Sequence, residues 1–207
     1  MSGDRTRVRQ ARRLRSRRIR AVLAGGVVLG IGATATLAAW NDSEYTTATI
    51  TAGTFGIVGS VDGSTFGDHP AGAPATLGFS MPAGAMTPGA TVYALLRIKT
   101  AAGSLPATLQ LRADPGNTAG LGQYLTYGVR TVAGATCDAQ AFAAGTAVVA
   151  TGSALTADGS GTQHAGANGA GPVTYCFAVT MPAATGNGAQ GLTAAVHWHV
   201  DATSAAP

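Results

Sequence analysis

The chain has 207 residues, enough for one domain with a short appendage, and only 11% of them are charged while 30 are glycine. Nine of its 13 basic residues lie at or before Arg20, and from Trp40 onward four basic residues face eight acidic ones, a formal charge of −4. The high pI therefore belongs to the N-terminus and excludes a nucleic-acid-binding surface on the main domain. The low charge and the abundance of Ala, Gly and Thr point away from a helical cytosolic enzyme.

Residues 1–20 form an Arg-rich stretch. Ala21 to Ala39 follows without a charged residue, and the small residues Ala38 and Ala39 close it before Trp40. This order is that of a signal peptide over 1–39, with cleavage around Ala38, Ala39 and Trp40. The positive-inside rule leaves the arginines in the cytoplasm and sends the rest across the membrane. An uncleaved anchor is the alternative, because about 19 apolar residues just span a bilayer. Gly25, Gly26, Gly30 and Gly32 weaken that reading. Ser16-Arg17-Arg18 hints at twin-Arg export, but Arg20 interrupts the apolar run expected there. The expected location is extracellular or at the cell surface, with membrane contact only through the signal segment.

After Trp40, short strand signals alternate with turn residues. Tyr45 to Thr51 is Thr-rich and β-branched. Thr54 to Gly59 and Ala75 to Ser80 are further short candidates. Ala90 to Thr100 carries the strongest pattern, with Leu96 and Ile98 alternating against Arg97 and Lys99. Ala107 to Arg112 sets Leu109 and Leu111 on one face and Gln110 and Arg112 on the other. Gln123 to Thr131 follows the turn Asp114-Pro115-Gly116-Asn117, and Pro172 to Met181 and Leu192 to Ala202 complete the set. Asp138 to Ala150 reads as a short helix or a loop. Gly152 to Gly171 reads as a long loop with at most one short strand, and residues 203–207 as a disordered tail. About eight short strands separated by turns predict an all-β, jelly-roll-like antiparallel β-sandwich over 40–202.

Cys137 and Cys176 lie beyond the membrane in this topology. A disulfide is the favoured state, because no CxxC spacing supports a metal. His197 and His199 flank Trp198 and share one strand face, so with a third ligand they are candidates for zinc or copper. The competing reading is that Val196, Trp198 and Val200 are buried on the other face and the two histidines are simply exposed. No HExxH, GxSxG elbow, nucleotide loop or paired-carboxylate signature accompanies them, so neither an enzyme nor a cofactor is expected. The acidic turns at Asp114 and Asp158 each offer one carboxylate, too few for calcium, and read as turn chemistry.

The junction is more specific. Ala38-Ala39-Trp40-Asn41-Asp42, followed by Ala48-Thr49-Ile50-Thr51-Ala52-Gly53-Thr54-Phe55, resembles the TasA/camelysin-like family, whose signal peptides are processed by the SipW signal peptidase. Met86-Thr87-Pro88-Gly89, the strand after it, Gly103-Ser104-Leu105-Pro106-Ala107 and the closing strand Leu192 to Thr203 are similar to later stretches of that family. The long Arg-rich start, the cysteine pair and the low charge depart from it. The resemblance implies a jelly roll, export with a signal peptidase as transient partner, and self-association into extracellular-matrix fibres by β-strand addition. Cleavage would free Asn41 to Thr51, with Tyr45, Thr47, Thr49 and Thr51 as the candidate donor strand for a neighbour's sheet edge. The same segment could instead be the first strand of its own monomer. Two other functions stay open: a secreted camelysin-like metallopeptidase using His197 and His199, and a monomeric surface binding or adhesion module.

Overall fold

The computed structural model describes residues 15–27, 42–80 and 86–205, in two compact units, 1–50 and 51–207. The expected cleavage residues Ala38, Ala39 and Trp40 lie outside the described residues. In the first unit residues 15–27 are helical (α1) and exposed. Among the described residues no helix is long and apolar enough to cross a membrane. Residues 42–50 are exposed and form no strand.

The second unit is an all-β sandwich of two antiparallel sheets. Its strands are β1 (Ile57–Ser60), β2 (Thr91–Thr100), β3 (Ala107–Ala113), β4 (Thr126–Thr131), β5 (Thr146–Ala154), β6 (Gln163–Ala165), β7 (Val173–Thr180) and β8 (Trp198–Ser204). One sheet runs β1-β2-β7-β4-β5 and the other β6-β3-β8. Alternation does most of the work. In β3, Ala107, Leu109 and Leu111 are fully buried while Arg112 is exposed. In β2, Val92 and Ile98 point the same way, opposite Val179 and Val173 of β7. Tyr127, Val129, Tyr175 and Phe177 join Leu109 and Leu111 in one core between the sheets. Burying each large side chain contributes about 1.5–3 kcal/mol.

On the outer face of the five-stranded sheet a short helix and loops pack against the strands. Helix α2 (Ala139–Ala144) starts where the Asp138 side chain accepts a hydrogen bond from the Ala141 amide at 2.8 Å. It ends at Gly145 and buries Phe142 against Cys176 and Ala178. The Arg130 guanidinium lies over the Phe142 ring at 5.1 Å and donates to the carbonyls of Ala143 and Gly145. Arg97 likewise donates to Gly63 O at 3.0 Å, and Lys99 sits 4.1 Å over the Phe66 ring. These cations fasten loops to the sheet through carbonyls and rings.

Several expectations need correction. Tyr45 to Thr51 forms no strand, so the reading of it as the monomer's own first strand does not hold. Ala75 to Ser80 is no strand either. Ala75, Leu77 and Phe79 are half-buried in alternation with exposed neighbours, yet among the described residues the segment's one backbone–backbone link into a sheet runs from the Ser80 amide to Tyr93 O. The closing strand starts at Trp198 rather than Leu192, and it takes in Thr203 and Ser204, expected in a disordered tail. The Ala205 amide extends that ladder to Pro106 O at 2.8 Å. Asp138 to Ala150 holds both a helix and the start of β5.

Candidate functional site

Most of the chemistry-bearing residues that the sequence singles out converge on β8 and its surroundings. The chain enters β8 under the control of Asn117, which is 1% exposed. Its Nδ2 donates to Leu155 O at 3.1 Å and His197 O at 2.9 Å, and its Oδ1 accepts from the His197 amide at 2.7 Å. The turn that presents Asn117 is set by Asp114, whose carboxylate accepts from the Gly116 amide. Two close approaches fix the next turn. A Cβ on Gly122 would lie 1.9 Å from Asn117 O, and Gly120, at φ +55°, would place one 2.3 Å from Thr193 O.

From this anchor Trp198 turns into the core, with its ring 5.1 Å from Phe177 and 5.6 Å from Tyr127. Val200 and Ala202 follow on the same face. The Tyr127 hydroxyl donates to Ala157 O, and burial pushes its pKa up to about 12, so it is a structural donor throughout the ordinary pH range. His197 and His199 are exposed on the opposite face, as the alternation predicts.

That outer face carries a compact charge cluster. Arg112 of β3 contacts Asp158 Oδ2 at 2.9 Å and Asp201 Oδ2 at 3.5 Å, and His199 Nε2 lies 3.7 Å from Asp201 Oδ1. The Ala113 amide and then the Arg112 guanidinium hold the Asp158 carboxyl below its usual range. Asp158 in turn raises the Arg112 pKa. A guanidinium therefore occupies the place between the two carboxylates where a cation would otherwise sit. Among the described residues no three His, Cys, Asp or Glu side chains gather so as to hold a metal ion. No third ligand joins His197 and His199 among the described residues. Asp114 accepts from the Gly116 amide two residues on, the turn chemistry expected of it, whereas Asp158, expected to do the same, instead accepts from the Ala113 amide and Arg112, tying its loop to the end of β3.

Two further features lie away from the cluster. Cys137 and Cys176 form a disulfide with Cα atoms 5.2 Å apart, tying the segment before α2 to β7. Such a bond belongs to an oxidising compartment. At one end of the sandwich an apolar cavity of about 240 Å³ opens between Phe79, Met86, Val92, Leu121, Val179 and Val196. The candidate donor residues Tyr45, Thr47, Thr49 and Thr51 are exposed and belong to no sheet, with Tyr45 90% and nearby Ile50 93% accessible.

Sequence reading missed Asn117, which passed for an ordinary turn residue. A lone Asn gives no periodic signal, and only its burial shows its work. The cavity was also missed, because its walls come from six separated stretches of chain. No protein-family model matches the chain, and neither does any curated protein.

Proposed function

We propose that this chain is an exported structural protein of the cell surface or extracellular matrix that self-associates by β-strand addition. The observation that carries this reading is the state of residues 42–53. They are rich in β-branched residues, exposed, and part of neither sheet. A stretch with strand propensity and unpaired backbone groups is a donor in search of an edge. The disulfide supports export, since it needs an oxidising compartment. The orders β2-β7-β4-β5 and β6-β3-β8 support the jelly-roll form of the sandwich, with only β1 placed on β2 instead of beside β8. The resemblance to the TasA/camelysin-like family points the same way, with a signal peptidase as the transient partner.

The test is size-exclusion chromatography and electron microscopy on protein beginning at Trp40, with and without residues 41–51. Fibres or large oligomers that vanish on deletion support strand addition. Protein that stays monomeric in both forms at high concentration rejects it. The apolar cavity favours a second reading, a monomeric binding module for a small apolar ligand. An environment-sensitive fluorescent probe that brightens on binding, and is displaced by filling the cavity with Val179→Trp, would favour that reading.

A further inference from the structure

The four strand edges of the sandwich are not equally guarded. β1 has four residues, and Gly67 bridges its outer side through paired bonds with Gly59. β6 has three residues. β5 meets β4 with register shifts at Tyr127/Val129 and Val129/Arg130, and Ser160 already occupies Val148 O. β8 is different. It has seven residues, its register with β3 is unbroken from Trp198 to Ser204, and it contains no Pro or Lys. Short strands, bulges, proline and lysine are the usual guards of an edge, and β8 has none of them.

The register also shows which backbone groups are free. The Asp114 amide bonds His197 O, and the Ala205 amide bonds Pro106 O. In an antiparallel ladder hydrogen-bonded pairs alternate, so His199, Asp201 and Thr203 point their backbone groups at β3. Trp198, Val200, Ala202 and Ser204 then present theirs at the open edge, and none of them has another backbone partner among the described residues.

We propose that β8 pairs antiparallel with β8 of a second copy of this chain, about a two-fold axis through Val200, joining two three-stranded sheets into one of six strands. The free groups fix the parity, because only even-numbered residues can bond across the edge. When His199 is protonated, charge fixes the register. With Val200 opposite Val200 of the second copy, Trp198 faces Ala202 on the core side, and His199 faces Asp201 on the outer side, twice. Sliding the pair by two residues one way sets Asp201 against Asp201, and the other way His199 against His199. Like groups directly opposite destabilise a ladder and opposite charges stabilise it. Both side chains are exposed, at 62% and 59%, and Asp201, which also meets Arg112 and His199 of its own chain, keeps its carboxylate accessible to the second copy. The contact is isologous and closes as a dimer. It uses none of residues 42–53 and so stands apart from the strand-addition reading, which by itself gives open chains.

Cross-strand cysteines test the register. His199 and Asp201 of the second copy would form a non-hydrogen-bonded pair, with Cα atoms about 4.5 Å apart, within reach of a disulfide. Full-length His199→Cys and Asp201→Cys chains, kept in mild detergent and oxidised gently, are compared alone and mixed on a non-reducing gel. The proposal expects the covalent dimer as the main product of the mixture and not of either variant alone. Cross-linking of Asp201→Cys with itself would mean the other register, and no cross-link in the mixture would mean no β8 contact; both overturn the proposal. Deleting residues 42–51 should leave the cross-link in place, and its loss would assign the contact to that segment instead. Asp201→Lys should abolish the dimer seen in sedimentation, and His199→Asp with Asp201→Lys should restore it. Failure of the double variant to recover would overturn the charge register.

Discussion

Asn117 is almost wholly buried, and its amide joins three backbone groups at the entry to β8, of which Leu155 O and the His197 amide have no other partner among the described residues. Asn117→Ala should therefore lower stability by about 3 kcal/mol, the cost of leaving buried polar groups unmade, read as a lower urea midpoint. Asp62 poses a different question, because it is exposed and its effect is electrostatic. Its carboxylate accepts from the amides of Ser64 and Thr65 and from the Ser60 hydroxyl, and these bonds hold its pKa far below the usual carboxylate range. A depressed folded-state pKa gives stability that is fully present above the unfolded value near 4. It is lost as pH falls toward the folded value. Asp62→Asn keeps an acceptor oxygen but removes the titration, so its melting temperature should fall less steeply than the native chain's between pH 4 and pH 2. Equal slopes would show that the loop's hydrogen bonds do not discriminate the charged form. Neither role was legible in the sequence, where both residues sit in ordinary Gly-rich turns and what distinguishes them is the set of amides brought to them.

Among the elements, β2 and β3 were legible because one face is more deeply packed than the other and a period of two survives that arrangement, whereas β7, buried on both faces, reads as a continuous apolar run between turn residues. β5 was half hidden. Val148 and Val149 are both buried, since register shifts against β4 break its alternation. Tyr45 to Thr51 fails in the opposite way: it has the propensity of a strand and no partner strand among the described residues. Propensity reports fitness for a sheet, whereas membership needs a neighbour. The edge character of β8 makes a directional prediction. Ala202→Pro removes only an outward-facing amide, whereas Asp201→Pro removes one that bonds β3. The second should cost more than the first by at least the ~1 kcal/mol of one ladder hydrogen bond, measured as the gap between their urea midpoints. The disulfide acts on another element. It closes a separation of 39 residues and holds the start of α2 on the sheet. Cys137→Ala with Cys176→Ala should destabilise by roughly 2–4 kcal/mol, with amide exchange rising first in Ala139–Ala144.

At the scale of the molecule, alternation tells which face of a strand is buried but not which strand lies beside it. That is why an all-β sandwich was readable from turns and periods while its order was not. β8, last in the chain, pairs with β3 across some ninety residues, and β7 is set between β2 and β4. Nothing local encodes such pairings; they follow from how the two apolar surfaces are covered together. The same argument separates the sandwich from what precedes it. Among the described residues every buried one lies at Gly59 or later, and residues 42–50 are exposed throughout. The earliest links into the sheets come from Thr54, which bridges Ser104, and from Gly56 O, which accepts from the Ala101 amide. A chain lacking residues 1–50 should therefore keep the β-sheet signature of the far-UV circular dichroism while losing the contribution of α1, and its stability in urea should stay within about 1 kcal/mol of the native one, since the described core lies wholly beyond residue 50. The two candidate roles of the N-terminal segment part at this measurement. A segment held in reserve for a neighbour contributes nothing to the lone sandwich, so its removal is silent in a monomer and visible only in assembly. A marked loss of stability in the monomer would mean that the segment completes its own fold, and the strand-addition reading would lose its free donor.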